Sequence, residues 1–168
     1  MTYVTLRADC ARCAALCCVA LAFDRSELFA IDKAAGEVCP HVDACGRCGI
    51  HGERVERGFG GCIGYDCHGA GQRVVQDLFG GVSWLEEPAS LQPMLRAFAV
   101  VRRAHGLLVL LAEAAKLRLS RAERRELVRL ERAIDALAAR AGTVNWNARL
   151  EVRVRRFLRS LVRHMRSA

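Results

Sequence analysis

Beyond Cys67, the last of nine, the sequence has no cysteine. Lysine is almost missing too: two residues, Lys33 and Lys116, stand against 24 arginines. That bias, with abundant alanine, is what GC-rich coding produces whatever the function. Aromatic residues make up 6% of the chain and prolines number three. No apolar run approaches the roughly 18 residues that a membrane-spanning helix needs. The longest candidate, residues 106–115, is interrupted by Glu113. The short run 14–23 has the length of a secretory h-region, but Asp9 precedes it, two cysteines sit inside it and Asp24-Arg25 ends it. These absences predict a cytoplasmic protein without a membrane partner. Nucleotide-binding fingerprints are missing as well. Gly69-Ala70-Gly71 starts a dinucleotide pattern, but Val74 stands where the third glycine belongs, and no Walker lysine follows.

What the chain has is concentrated. Cys10, Cys13, Cys17, Cys18, Cys39, Cys45, Cys48, Cys62 and Cys67 all fall within 58 residues. In a reducing compartment such density argues for metal ligation rather than disulfides, and the odd count argues against a closed disulfide framework. Thiolates converge from three segments: 10/13/17/18, 39/45/48 and 62/67. The expected metal ligands are Cys10, Cys13, Cys17, Cys18, Cys39, Cys48, Cys62 and Cys67. Spacing alone leaves the metal open, because zinc and iron-sulfur centres both take tetrahedral sulfur. Two zinc sites, one iron-sulfur cluster ([4Fe–4S]) with spare thiols, or one of each would all satisfy the count. His51 and His68 lie within reach of the cysteines but are equally readable as surface histidines. Asp66 and Glu53 are either outer-shell partners of a metal or ordinary surface acids.

Charge divides the chain as sharply as cysteine does. Residues 1–87 carry a net −4 and residues 88–168 a net +12. A boundary near Glu86–Pro88 is expected, with a cysteine-rich metal- or iron-sulfur-binding domain over 1–87 and a helical bundle over 88–168. The predicted fold is mainly α: a small metal-centred domain followed by a three-helix basic unit.

Asp9 is positioned to cap a helix over 10–22, which would set Cys10, Cys13 and Cys17 on one stripe. Short structure is expected at 28–31 (strand), 51–58 (helix) and 72–79 (helix), with residues 2–6 as a strand or loose arm. In the basic half, apolar spacing predicts helices over 90–117, from a Ser120/Glu123 capping box to Ala141 before Gly142, and from Asn147 onward. The last presents Leu150, Val154, Phe157, Leu161 and Met165 on one face. Seven arginines and one acid in residues 143–168 then form a solvated face. With no stacking aromatics interleaved and no recognition signature, at most weak, non-specific nucleic-acid binding is expected.

The run CARCAALCC, followed by CPHV, CGIH and a later cysteine pair, resembles the YkgJ-type cysteine-cluster family, described as a zinc- or iron-chelating domain. That family opens C-x-x-C-x-x-C-C, whereas here one extra residue separates Cys13 from Cys17. Residues 9–81 are more closely similar to the cysteine-rich leader of certain bacterial pentapeptide-repeat proteins, through LCCVALAF, FAIDKAAG, RCGIH, ERGFGGC, YDCHGAGQ and FGG. The five-residue repeats themselves are lacking. The resemblance implies a chelating domain in which His51 and every cysteine but Cys45 have counterparts. It implies no substrate.

The function expected from all this is a metal- or iron-sulfur-binding module for electron transfer, sensing or scaffolding, acting with an as yet unidentified protein partner. The alternatives are a zinc-stabilised interaction protein whose basic helices bind nucleic acid or an acidic partner, and an enzyme using the centre on an unknown substrate. Oligomeric state stays open.

Overall fold

The structure is a computed structural model that describes residues 5–165, apart from the side chains of Arg163 and Met165. The arm at 2–6 and the Met165 contribution to the last apolar face therefore lie largely outside the described residues. The fold is mainly α, with 51% of residues helical. Among the described residues extended pairing is limited to isolated bridges, such as Phe23 with Lys33 and Val42 with Cys48. The 28–31 segment is a tight turn closed by a Ser26–Phe29 bridge rather than a strand.

The long helix α4 (Leu91–Ala114) is the axis of the molecule. Pro93 falls in its first turn, where backbone N–H groups lack helical partners anyway. Gly106 does not interrupt it. Helix α5 (Arg121–Ala138) begins with the predicted capping box, in which Ser120 Oγ accepts from Glu123 N and the Glu123 carboxylate accepts from Ser120 N. Helix α6 (Ala148–Ser160) is capped by Asn147, whose Oδ1 accepts from Leu150 N at 3.0 Å. The chain breaks at Leu161 and resumes as α7 (Val162–Met165). Helices α5 and α6 pack on α4 and on each other through Leu127, Leu130, Ile134 and Val154, all 3% exposed or less. Burying each such side chain stabilises the fold by about 1.5–3 kcal/mol.

Helix α4 also receives the cysteine-bearing half. Helix α1 (Leu16–Ala20) inserts Leu16 and Val19, both fully buried. Helix α3 (Ala70–Gln72) continues into a π-helical turn, Arg73–Leu78, and contributes Ala70, Val74 and Val75. Trp84 adds its ring. One hydrophobic core thus runs from Leu16 to Leu161 across the change of charge sign at Pro88. Residues 21–66 contribute little to it. Phe59 is their one large apolar side chain below 9% exposure, and Leu28, Val55 and Ile63 are more than half exposed.

Candidate metal centre

The predicted helix over 10–22 does not form as one piece. Asp9 does cap, with Oδ1 accepting from Ala11 N at 3.1 Å, but what it caps is a 3-10 turn of three residues, Cys10–Arg12. Ala14 and Ala15 then adopt left-handed conformations, φ 46° and 50°. Each costs roughly 1–2 kcal/mol outside glycine. Trp84 stabilises this break by donating its indole N–H to Ala14 O at 2.7 Å. The result folds Cys10 and Cys13 back against α3 instead of extending them along a helix with Cys17.

Two glutamines hold that fold-back. Gln72 donates to Arg7 O at 2.8 Å and accepts from Asp9 N at 2.6 Å. Gln76, one helical turn on, donates to Arg12 O at 3.1 Å and accepts from the Arg12 guanidinium at 3.2 Å. Gly71 faces Cys13 so closely that a Cβ there would lie 2.7 Å from Cys13 Cβ. Only glycine permits that approach. Cys67 ends the turn leading into α3, and Asp66 sets this turn by accepting from His68 N at 2.7 Å.

A second set of ties converges on the C-terminal end of α1. Its last carbonyls have no helical partners. Cys18 O accepts from Cys39 N at 3.0 Å and Val19 O from Gly36 N at 2.9 Å. Lys33, 4% exposed, spends its ammonium on Val19 O, Ala34 O and Glu37 O at 3.3, 3.0 and 2.8 Å. From Cys39 the chain reaches Cys48 through the Val42–Cys48 bridge. Asp43 Oδ1 orders the intervening turn by accepting from Cys45 N and Arg47 N. The expected helix at 51–58 is a succession of turns. Arg54 within it donates to His51 O and to Cys62 O, tying the 48–51 turn to α2 (Gly61–Gly64).

These ties gather the eight predicted ligands around α1. Cys17 Sγ and Cys18 Sγ lie 4.0 Å apart. Burial pushes the Cys13 thiol up to about 12, with the Cys17 charge as the next cause. Cys10 is raised by burial and by the Cys17 and Cys67 charges. Cys62 is raised by burial and by Cys17, Cys39 and Cys48. Cys17 itself is strongly raised, first by its hydrogen bond with Cys18 and then by burial. All nine cysteines are free thiols. Cys45 stands apart, exposed on its turn. His51 is exposed as well, and the His68 ring lies 3.5 Å from Asp66. Glu53 pairs with Arg57. Among the described residues no three Cys, His, Asp or Glu side chains already converge on a single ion position. The thiols are neighbours, not a closed cage.

Sequence reasoning missed four polar residues: Tyr65, Arg73, His105 and Asp135. Tyr65 Oη is buried with no hydrogen-bond partner, and its pKa is raised by burial and by the charges of Cys17 and Cys67. Arg73, 9% exposed, bridges His105 Nε2 at 3.2 Å and Asp135 Oδ1 at 2.7 Å. Long-range polar contacts of this kind leave no local pattern in the sequence. A cleft of about 940 Å³ adjoins Arg73 and Asp135, walled also by Cys10, Arg12, His51 and Gln76.

No family model matches the chain, and no solved structure matches it. It is similar to a Bacillus subtilis (strain 168) protein named "Uncharacterized protein YybG", 38% identical over 122 residues. The match takes in 73% of this chain and 44% of that relative, so the chain spans less than half of the relative's length.

Proposed function

We propose that this protein is a thiolate-ligated metal- or iron-sulfur-binding module, serving electron transfer, sensing or scaffolding in the manner of a YkgJ-type cysteine-cluster domain. The observation that carries the reading is the gathering of cysteines from three chain segments around α1, where Cys17 Sγ and Cys18 Sγ lie 4.0 Å apart. Burial first, and neighbouring thiols after it, raise the pKa values of Cys10, Cys13 and Cys62. A cation placed among them would reverse that shift, since ligation deprotonates thiols outright. The donor set also fits: all sulfur, none of it exposed apart from Cys10, with a buried, unpartnered hydroxyl on Tyr65, two residues before Cys67. A hydroxyl within reach of a metal-bound thiolate would donate to it, a kind of contact that tunes such centres. Bound zinc would supply structure to residues 21–66, which bury little apolar surface of their own; an iron-sulfur cluster would add one-electron chemistry.

The test is metal and acid-labile sulfide analysis of anaerobically purified full-length protein. Brown protein containing iron and sulfide supports the electron-transfer form, and colourless protein containing zinc supports the scaffold form. Protein that carries no metal, and takes up neither zinc, cobalt(II) nor iron under reducing conditions, would overturn the proposal.

A further inference from the structure

Packing decides which way the two cysteines of α1 face. Leu16 and Val19 are fully buried and belong to the core built on α4. At about 100° per residue these two positions lie roughly 60° apart and set the inward direction of the helix. Cys17 and Cys18 then fall on the outward half, about 50° to either side of the line opposite the core. Both are half-buried there. Consecutive side chains on a helix do not normally face each other, yet these two sulfurs stand 4.0 Å apart. The separation has a chemical meaning. Two sulfurs bound to one ion at about 2.3 Å are roughly 3.8 Å apart in a tetrahedral arrangement and roughly 4.0 Å in a trigonal one. The pair therefore already has the spacing of two ligands on a shared ion. A [4Fe–4S] cluster asks for something else: its four cysteines serve four irons, one thiolate each.

Resting on the metal-binding reading, we propose that Cys17 and Cys18 ligate one and the same thiophilic cation of the zinc type, as the edge of the centre that the fold itself provides. The sequence groups Cys17 with Cys10 and Cys13 on a helical stripe, but the left-handed break at Ala14–Ala15 parts those two from α1. The partner of Cys17 is its chain neighbour instead. No third ligating side chain among the described residues stands at the same point, so the other ligands close on the pair as the ion binds. The loop that follows α1 already begins at this edge, since Cys39 N bonds Cys18 O at 3.0 Å.

The test is titration of the reduced, metal-free full chain with zinc or cadmium, with the thiols left reactive at each step mapped by alkylation and mass spectrometry. One equivalent is expected to protect Cys17 and Cys18 together, a measurement that needs no variant. Cys17→Ser and Cys18→Ser should each weaken the binding of that same equivalent by at least about tenfold, the lower figure for losing only a ligand's hydrogen-bond partner. The double variant should lose no second equivalent. Protection of one cysteine without the other, or a double variant short of two equivalents, would overturn the shared ion while leaving metal binding intact. A native centre of iron and acid-labile sulfide that is lost when either cysteine is replaced would overturn it in the same way. Absence of any uptake of zinc, cadmium, cobalt(II) or iron would overturn the metal-binding reading itself.

Discussion

His105 on α4 donates its Nδ1 hydrogen to the main-chain oxygen of His68, at 2.5 Å, one residue beyond Cys67. A carbonyl can only accept, so Nδ1 carries the proton and Nε2 accepts from Arg73 at 3.2 Å. The ring is fully buried. Asp135 on α5 completes the chain by taking the Arg73 guanidinium at 2.7 Å. The turn that delivers Cys67 is therefore connected to both α4 and α5 through one buried polar network.

That network predicts acid sensitivity. Burial first, then the nearby Arg73 charge, lower the His105 pKa from 6.5 to about 4, against opposing contributions from the His68 carbonyl and Asp135. A base whose folded pKa is depressed stabilises the fold fully above its unfolded pKa, and the contribution is lost as pH falls from about 6.5 toward 4. The loss should approach about 3 kcal/mol at the acid end. Thermal melts between pH 7 and 4 are expected to show this decline, and His105→Gln should flatten it. A parallel decline in the variant would assign the acid sensitivity to other groups.

Arg73 is the costlier member to leave unmatched. Its guanidinium is buried, whereas the Asp135 side chain is 42% exposed, so the pair is only partly shielded from water. Asp135→Ala should destabilise by about 2 kcal/mol, near the value for hydrogen bonds to charged groups. Asp135→Asn, which keeps an accepting oxygen, should cost less. Urea denaturation with an unchanged m-value is the measurement.

Metal removal should act unevenly along the chain. Residues 21–66 hold one large, well-buried apolar side chain, Phe59, and rely on turns and the Lys33 carbonyl cage. Residues 70–79 share the core with Met94, Phe98 and Val101. Chelation is expected to raise amide exchange sharply over 21–66 and to leave α4, α5 and the π-helical turn protected. Equal loss in both regions would show that the shared core itself depends on the metal.

Much of this architecture was legible because it is local. The Ser120/Glu123 box, the Asn147 cap and the apolar spacing of Leu127, Leu130 and Ile134 act within one or two helical turns, where periodicity and capping chemistry decide the outcome. The 10–22 segment was misread for the opposite reason. Its apolar run and Asp9 cap favour a helix, but Trp84, 70 residues away, stabilises the left-handed break at Ala14–Ala15. The same holds for Arg73, His105 and Asp135, whose partners lie 32 and 62 residues apart. Cysteine density marked where the candidate site lies; the grouping of its thiols depends on Gln72, Gln76 and Arg54, which carry no motif.

Cys45 offers a direct comparison with its C-x-x-C neighbour. Its thiol is exposed, and the turn around it is held by Asp43 through backbone N–H groups. Cys45→Ser should leave metal content nearly unchanged, whereas Cys48→Ser should lower it. Equal loss for the two would make the local pair a chelating unit.

The basic half poses a last question, whether its charge meets an anionic polymer. On α6 part of that charge is consumed internally: Glu151 takes Arg155 at 2.9 Å and Arg103 at 2.8 Å, and Glu126 takes Arg153 at 2.8 Å. Trp146, just before α6, is not free to stack on a base. Arg103 lies over its ring at 4.6 Å, and its indole N–H donates to Glu151 at 2.8 Å. On α5, by contrast, Arg121, Arg124, Arg125, Arg129 and Arg132 share one exposed helix face, with Arg129 tied to Glu126. Any nucleic-acid affinity should therefore reside on α5. It should be non-specific, with a Kd of about 10⁻⁴–10⁻⁶ M at physiological salt and a steep fall as salt rises. Fluorescence anisotropy with unrelated DNA and RNA sequences is expected to give similar, weak curves, weakened further by Arg121→Glu with Arg125→Glu. Binding tighter than this range and selective for one sequence would instead make the arginine face of α5 a recognition surface, with the thiol half as its structural support.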